Sequence, residues 1–346
     1  MKTTYRTPLS VVIPLYNEQD SVHALVKRLE EALLTAFDHV EVILVDDGSQ
    51  DETVERTQIL IDQSPMDIKL VALQRNFGQT AAMQAGIDQA QGELIATLDG
   101  DLQNDPIDIP MMVKELKEKD LDLLVGWRKK RKDGLFLRKI PSKIANRLIG
   151  KITGVQLHDY GCSLKIYRSK VIKQVKLLGE MHRFIPAWTA VVTSSKRIGE
   201  IPVSHHARQF GESKYGISRT FRVLIDLLSV MFFMRYRNRP GHFFGSIGLF
   251  LGAVGGLMLT YLGFDKFILG HDIGTRPMLL IGVLFIMGAI QMLSTGIIAE
   301  ILTRSHHATS DQKQSYVIGA IHSKDQGDPI ANSADTHSSN ANKDNT

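Results

Sequence analysis

Hydrophobic and polar positions follow two patterns along this chain, and the change between them falls close to Gly241. In the N-terminal region short apolar runs alternate with amphipathic ones. Leu9 to Leu15, Val40 to Val45, Lys69 to Leu73 and Leu94 to Leu98 predict strands, while Ser21 to Leu34, Thr53 to Ile61, Thr80 to Ala90 and Ile109 to Lys117 predict helices. Repeated strand–helix alternation implies an α/β fold with a parallel sheet covered on both faces. Such sheets bind ligands beyond the carboxyl ends of their strands, so chemistry is sought there.

Beyond Gly241 the pattern is continuous rather than alternating. Phe243 to Phe264 runs 22 residues without a charge and Pro277 to Ala299 another 23. At about 1.5 Å per residue, each is long enough to cross a hydrocarbon core of about 30 Å. Buried core helices are seldom so long or so free of charge, and Gly252, Gly255 and Gly256 suit close helix packing in lipid. Ahead of the first span, Ile217 to Tyr236 carries Phe221, Leu224, Ile225, Leu228, Met231 and Phe232 at helical spacing between arginines, the pattern of an interfacial helix.

Arg219, Arg222, Arg235, Arg237 and Arg239 precede the first span and Arg304 follows the second, whereas the connecting loop has only Lys266 and Arg276. Positive charge therefore places the N-terminal region and the tail in the cytoplasm. Leu9 to Leu15, broken by Pro14 and followed by Asn17, Glu18 and Gln19, does not read as a signal peptide. The expected organisation is a catalytic-type α/β domain at 1–215, a juxtamembrane helix at 216–240, two spans within 241–302 (about 243–264 and 277–299) and a disordered cytoplasmic tail at 303–346. The tail's scattered histidines lack metal-ligand spacing.

Composition narrows this only slightly. The 346 residues leave room for about two domains. A single cysteine, Cys162, excludes a disulfide scaffold, and 41 Lys+Arg against 37 Asp+Glu is too small an excess to argue for nucleic acid.

The strand ends carry the candidate chemistry. After the first strand comes Pro14-Leu15-Tyr16-Asn17-Glu18, and after the second Asp46-Asp47-Gly48-Ser49-Gln50-Asp51. Ser49 and Asp51 read as helix caps. Capping leaves two successive carboxylates unexplained; a carboxylate accepting from a base or a ribose hydroxyl would explain them. The fourth strand runs into Asp99-Gly100-Asp101-Leu102-Gln103-Asn104-Asp105, where alternate carboxylates can hold a divalent cation together with phosphate oxygens. Gly100 is expected to leave room for close approach of the substrate. Asp159-Tyr160-Gly161-Cys162 could be no more than a turn. Lys129 to Lys132 reads as a solvated basic patch, while Arg128, Arg138, Arg208 and Lys214, close to a membrane anchor, suggest a cationic groove for an anionic lipid head group.

Together these residues resemble the family 2 glycosyltransferases of GT-A fold, which is Rossmann-like with a mostly parallel sheet, in the branch that loads sugars onto polyprenyl phosphates. The Asp-Asp-Gly-Ser and Asp-x-Asp motifs mark the wider superfamily. The string from Leu98 to Asn104, with Asp159 to Cys162, Gly211-Glu212-Ser213-Lys214-Tyr215 and two terminal spans, is specific to the branch. It is similar to bacterial undecaprenyl-phosphate glucosyl and formamido-arabinose transferases and, at greater distance, to dolichol-phosphate mannose synthases.

The resemblance implies that Pro14, Tyr16, Glu18, Asp46 and Asp47 hold the base and ribose of a nucleotide sugar, with uridine diphosphate as the leaving group. It implies that Asp99, Asp101 and Gln103 surround a Mg²⁺ or Mn²⁺ on the diphosphate. Arg128, Arg138, Arg208, Ser213 and Lys214 would grip the donor diphosphate and the phosphate of an undecaprenyl-type acceptor. Asp101 and Asp159 would act in catalysis, Asp159 as base, metal ligand or orienting group. The implied reaction is inverting sugar transfer serving the cell envelope, for instance lipopolysaccharide, and leaves room for self-association and a flippase partner. The family more often has Ala at Gly100, and Pro or His at Asp105. A processive polysaccharide synthase would need a Gln-x-x-Arg-Trp motif, and neither Trp127 nor Trp188 sits in one. A catalytically silent membrane scaffold is the alternative from another class.

Overall fold

The computed structural model describes residues 5–129, 149–150, 154–177, 179, 181–207, 232, 236, 239–274, 276–308 and 318–323. The chain forms two compact units, one from residues 1–226 and 314–346 and the other from 227–313.

The first unit is built on an eight-stranded sheet. Its elements are β1 (Leu9–Leu15), α1 (Val22–Leu33), β2 (Val40–Asp46), α2 (Thr53–Gln63), β3 (Asp67–Leu73), α3 (Gln79–Gln89), β4 (Leu94–Thr97), α4 (Ile109–Glu118) and β5 (Leu123–Trp127). They are followed by β6 (Lys165–Arg168), α5 (Ile185–Val192), β7 (Ile198–Pro202) and β8 (Ile318–Ser323). The strand order is β7-β5-β6-β4-β1-β2-β3-β8. β1 pairs in parallel with β2 and β4, β2 with β3, and β5 with β7, whereas β6 runs antiparallel to β4 and β5, and β8 antiparallel to β3. Val11, Val12, Ile13, Val42, Ile43, Leu44, Ile68 and Leu70 are wholly buried. That near-continuous run of apolar residues is what a parallel strand covered on both faces requires.

The alternation read from the sequence therefore holds for the first four strands and the four helices between and after them, to within about two residues. Strand order reverses at β1, with β2 and β3 on one side and β4 on the other, so the loops leaving β1 and β4 diverge and open a crevice. Because β6 is antiparallel, its N-terminal end lies at the carboxyl edge of β4 and β5. This brings the Asp159 turn, which precedes β6, to the same edge as the loops after β2 and β4.

The tail departs from the sequence reading. Instead of disorder throughout 303–346, the last helix continues to Ala308 and Ile318–Ser323 forms β8. A six-residue Ile-Gly-Ala-Ile-His-Ser segment carries little signal alone; it becomes a strand by satisfying the open edge of β3, with a register irregularity at Ala72/Leu73.

The second unit is a helical hairpin of α6 (Pro240–Phe267) and α7 (Pro277–Ala308); α6 is longer at both ends than the expected 243–264, and α7 runs on past the expected 277–299 at its C-terminal end. Both are long and apolar enough to cross a membrane. Gly248 lies against Ala289 O and the Leu293 side chain, and Gly255 against Phe285 and Gly282 O, so a Cβ at either would meet atoms at 2.9–3.0 Å. Gly252 also faces Ala289, but Gly256 has nothing within 4 Å. One residue turns the helix by about 100°, which carries Gly256 off the contact that Gly255 makes. Leu249, Phe250, Leu257, Leu280, Leu284, Met287 and Ile290 point outward, an apolar exterior suited to lipid. Near the connecting loop, Asp265 pairs with Arg276 and with His271 at 2.9 Å, cancelling part of the loop's positive charge. Of the expected interfacial helix only Phe232 and Tyr236 are described; their rings pack on Phe243 at 5.3 and 4.9 Å.

Candidate active site

The loops after β1 and β2 brace each other. Asn17, held at φ 55°, donates its backbone N–H to Ser49 Oγ at 2.9 Å and accepts from Gln50 N at 2.9 Å. Glu18 N donates to Thr53 Oγ1 at 2.8 Å, and the Glu18 carboxylate accepts from Ser21. Asp51 accepts from Thr53 N at 3.0 Å, but the N-cap of α2 is Glu52, with no side-chain capping bond, and Ser49 is spent on this link between loops, so neither expected cap holds that position. Gly48 at φ 68° lets the loop pass against Arg75 and Asn76: a Cβ there would sit 2.5 Å from Arg75 C. Pro14 sits inside β1 in register with Val45, and Tyr16 projects from its end, 37% exposed.

Asp46 and Asp47 are both buried but do different things. Asp47 accepts from Phe77 N at 2.7 Å and Gly78 N at 2.9 Å, fixing the turn into α3. Burial pushes its carboxyl above the usual range against the pull of those two bonds. Asp46 Oδ2 accepts from Ser49 N at 3.0 Å, whereas Asp46 Oδ1 is buried with no hydrogen-bond partner among the described residues. A buried carboxylate oxygen left bare is costly unless a ligand supplies the donor.

Beyond β4, Asp99 accepts from Gln79 Nε2 at 2.7 Å and Asp101 from Gln103 N at 3.1 Å. Between Asp101 and Gln103 the backbone of Leu102 is held at φ 58°, a left-handed conformation rare for a large apolar residue and of the kind that gathers at functional sites. Burial and then the neighbouring charge of Asp101 push the Asp99 carboxyl up to about 6. Two neighbouring carboxylates suit a divalent cation that takes its remaining oxygens from phosphate. Among the described residues no cluster of three His, Cys, Asp or Glu could hold a metal unaided, so substrate oxygens would have to complete the shell.

Gly100 works differently from the expectation. Its missing side chain faces inward, where a Cβ would lie 2.6 Å from Leu15 Cδ2. The glycine makes room for the β1 core residue, not for substrate. Asp105 caps the following turn through Ile107 N at 3.2 Å and pairs with His206 at 3.0 Å.

At the end of β5, Arg128 meets Asp159 in a two-bond pair, Nε to Oδ2 at 2.7 Å and Nη2 to Oδ1 at 2.9 Å. Burial works against the guanidinium charge, but the Asp159 bond and charge outweigh it and the arginine stays ionised. The pair is clamped on either side. Trp127 stacks on His158 at 4.4 Å, and Glu200 holds His158 through its backbone N–H at 2.7 Å and its ring. Lys165, whose Nζ donates to Cys162 O, is a buried cation that the sequence reading missed. A lysine at the head of an antiparallel strand offers no motif to find it by. Burial lowers its affinity for the proton and pushes the Cys162 thiol up to about 11.

The structure thus brings Pro14, Tyr16, Glu18, Asp46, Asp47, Asp99, Asp101, Gln103, Arg128 and Asp159 to one edge of the sheet. Arg138, Arg208, Ser213 and Lys214 lie outside the described residues.

Residues 10–176 match the family described as glycosyl transferase family 2. The chain is 64% identical over 313 residues to a dodecaprenyl-phosphate galacturonate synthase of Rhizobium johnstonii, covering 90% of this chain and 92% of that one. It is 36% identical to an undecaprenyl-phosphate 4-deoxy-4-formamido-L-arabinose transferase of Klebsiella pneumoniae, covering 86% and 89%. Glucosyl-3-phosphoglycerate synthase of Mycobacterium tuberculosis, solved with Mn²⁺, UDP and glucosyl-3-phosphoglycerate, shares the fold at a TM-score of 0.50 and 13% identity, over 66% of this chain and 80% of that one. The fold and the matches define a glycosyltransferase of GT-A architecture. This chain belongs to glycosyl transferase family 2.

Proposed function

We propose that this enzyme transfers a sugar from a nucleoside-diphosphate sugar to the phosphate of a polyprenyl phosphate, with inversion at the anomeric carbon. The Asp99/Asp101 pair at the end of β4 carries this reading, in a chain 64% identical to a synthase whose name gives dodecaprenyl phosphate and galacturonate. Galacturonate is accordingly the first sugar to test. The arginines flanking the hairpin support a cytoplasmic active site and cytoplasmic termini at the inner membrane.

Asp46 Oδ1 takes a hydrogen bond from the base or ribose of the donor, with Pro14, Tyr16 and Glu18 along the β1 side and Asp47 bracing the wall behind. Asp99, Asp101 and Gln103 hold a Mg²⁺ or Mn²⁺, which supplies positive charge to the diphosphate as it departs. Mn²⁺ with UDP on a protein of the same fold supports that choice. Arg128 presents a second positive charge, and Asp159, engaged by it on both oxygens, orients it. A phosphate monoester with a second pKa of about 6 is already largely dianionic at neutral pH, so the acceptor oxygen needs little help from a base. Arg138, Arg208, Ser213 and Lys214 complete the grip on the two phosphates.

The test is to incubate detergent-purified protein with Mn²⁺ or Mg²⁺, dodecaprenyl or undecaprenyl phosphate and a panel of UDP-sugars including UDP-galacturonate. Lipid-linked sugar is followed by mass spectrometry. One donor should give a sugar–phosphate–lipid product that disappears with chelator and with Asp101→Ala. Donor binding without lipid product for any acceptor would remove the polyprenyl assignment, and no donor binding at all would favour a silent scaffold.

A further inference from the structure

Helix α3 buries a run of small residues, Thr80, Ala81, Ala82, Ala85 and Gly86 among them. A Cβ at Gly86 would overlap the Val12 and Val45 side chains, so the helix rests directly on β1 and β2. That closeness carries its first turn to the edge of the sheet where β2 and β4 end. There Phe77 N and Gly78 N are spent on Asp47, in the loop after β2. Gln79, half-buried, reaches the loop after β4 instead, its side-chain Nε2 donating to Asp99 Oδ1 at 2.7 Å. Thr80 Oγ1 is hydrogen-bonded to His182 Nδ1, also at 2.7 Å. One turn of chain thus ties the two acidic loops to each other.

The donors on these acids differ in charge. Asp159 is engaged on both oxygens by the Arg128 guanidinium, whose positive charge offsets its own. Asp99 is held by a neutral amide. An ionised carboxylate only accepts, so the NH₂ end of the Gln79 amide is the end that faces it. Such a donor restrains the carboxylate's rotation and leaves its negative charge in place, whereas an ammonium or guanidinium in the same position would repel an incoming cation.

We propose that Gln79 is a positioning residue for the cation site, its neutral amide fixing the Asp99 carboxylate against the first turn of α3 while leaving the carboxylate's charge to the metal. This deepens, and rests on, the reading of Asp99 and Asp101 as cation ligands. Groups that hydrogen-bond a metal ligand set its orientation, and their loss typically costs about 10–100-fold in metal affinity. Gln79 touches neither cation nor substrate in this scheme and acts through Asp99. Its signature is a change in cation binding that follows the amide rather than the helix end as a whole.

The experiment uses the full chain in detergent and reads Mn²⁺ binding directly by electron paramagnetic resonance, with UDP present, alongside thermal unfolding. Gln79→Met, close in size but without a donor, should weaken Mn²⁺ binding by about 10-fold or more at a wild-type melting temperature. Gln79→Lys, which offers a donor but adds a charge, should weaken it as well. Thr80→Val, which breaks the neighbouring bond to His182, should keep wild-type Mn²⁺ affinity. Wild-type affinity in either Gln79 variant, once folded, overturns the proposal alone. Equal loss in Thr80→Val and Gln79→Met also overturns it, because the integrity of the turn and not the amide would then be at work. A wild-type protein that binds no Mn²⁺ even with UDP overturns the cation-site reading itself and the proposal with it.

Discussion

The two acidic pairs at the strand ends, Asp46-Asp47 after β2 and Asp99-x-Asp101 after β4, look alike in composition and are built for different work. Successive residues of an extended strand point to opposite sides and alternate residues to the same side. Asp47 accordingly turns away from Asp46 and is consumed by Phe77 N and Gly78 N, leaving one oxygen of Asp46 for a ligand. Asp99 and Asp101 lie past the end of β4, in the turn that leads to Leu102 at φ 58°, and the charge of Asp101 joins burial in lifting Asp99 to about 6. Between Asp46 and Asp47 the mutual charge is the smallest influence on Asp47, behind burial and the two backbone bonds. On the proposed reading, Asp47 is a structural brace, Asp46 offers an oxygen to the donor, and Asp99 with Asp101 gathers negative charge for a cation.

The largest effect expected of this difference is in activity. Asp101→Ala should lower lipid-linked product by at least about 100-fold, the scale of losing one preorganised charge-stabilising group, with the fold retained by circular dichroism. Loss of fold instead would make this pair structural too. Gly48→Ala, beside the other pair, should act on stability. A positive φ costs an alanine about 1–2 kcal/mol before the clash with Arg75, so the melting temperature should drop sharply.

Asp47→Ala should cost about 1–3 kcal/mol by leaving buried N–H groups unpaired, read as a lowered melting temperature at unchanged donor KM. Asp46→Ala should do the reverse, raising donor KM about tenfold, as loss of one charge-assisted bond does. Identical behaviour of the two variants would erase the distinction. Smallest of all, Gly100→Ala should cost about 1 kcal/mol or less and leave kcat near wild type, since only the flexible end of Leu15 has to move. A large fall in kcat would return Gly100 to the substrate.

Much of the molecule was legible beforehand for identifiable reasons. β1 to β4 with α1 to α4 follow each other in space as they do in sequence, so local periodicity sufficed. The hairpin announced itself by length and absence of charge, and Gly252 and Gly255 by their place on it. What escaped depended on partners distant in the chain. β8 exists because β3 has an open edge, β6 runs antiparallel between β4 and β5, and Lys165 is buried only because of that placement. Ser49 looked like a cap because capping is local, whereas its partner, Asn17, lies 32 residues away.

The sequence alone determined the α/β alternation, the two apolar spans and the acidic strand ends, since each rests on residues adjacent along the chain. Only the tertiary structure decided what each acid does. Phe77 and Gly78 donate to Asp47, Gln79 to Asp99 and Arg128 to both oxygens of Asp159, and none of these donors belongs to the acidic motifs themselves. A carboxylate's role is set by the donors around it and by how much water it keeps, and both are properties of the packed edge rather than of the motif.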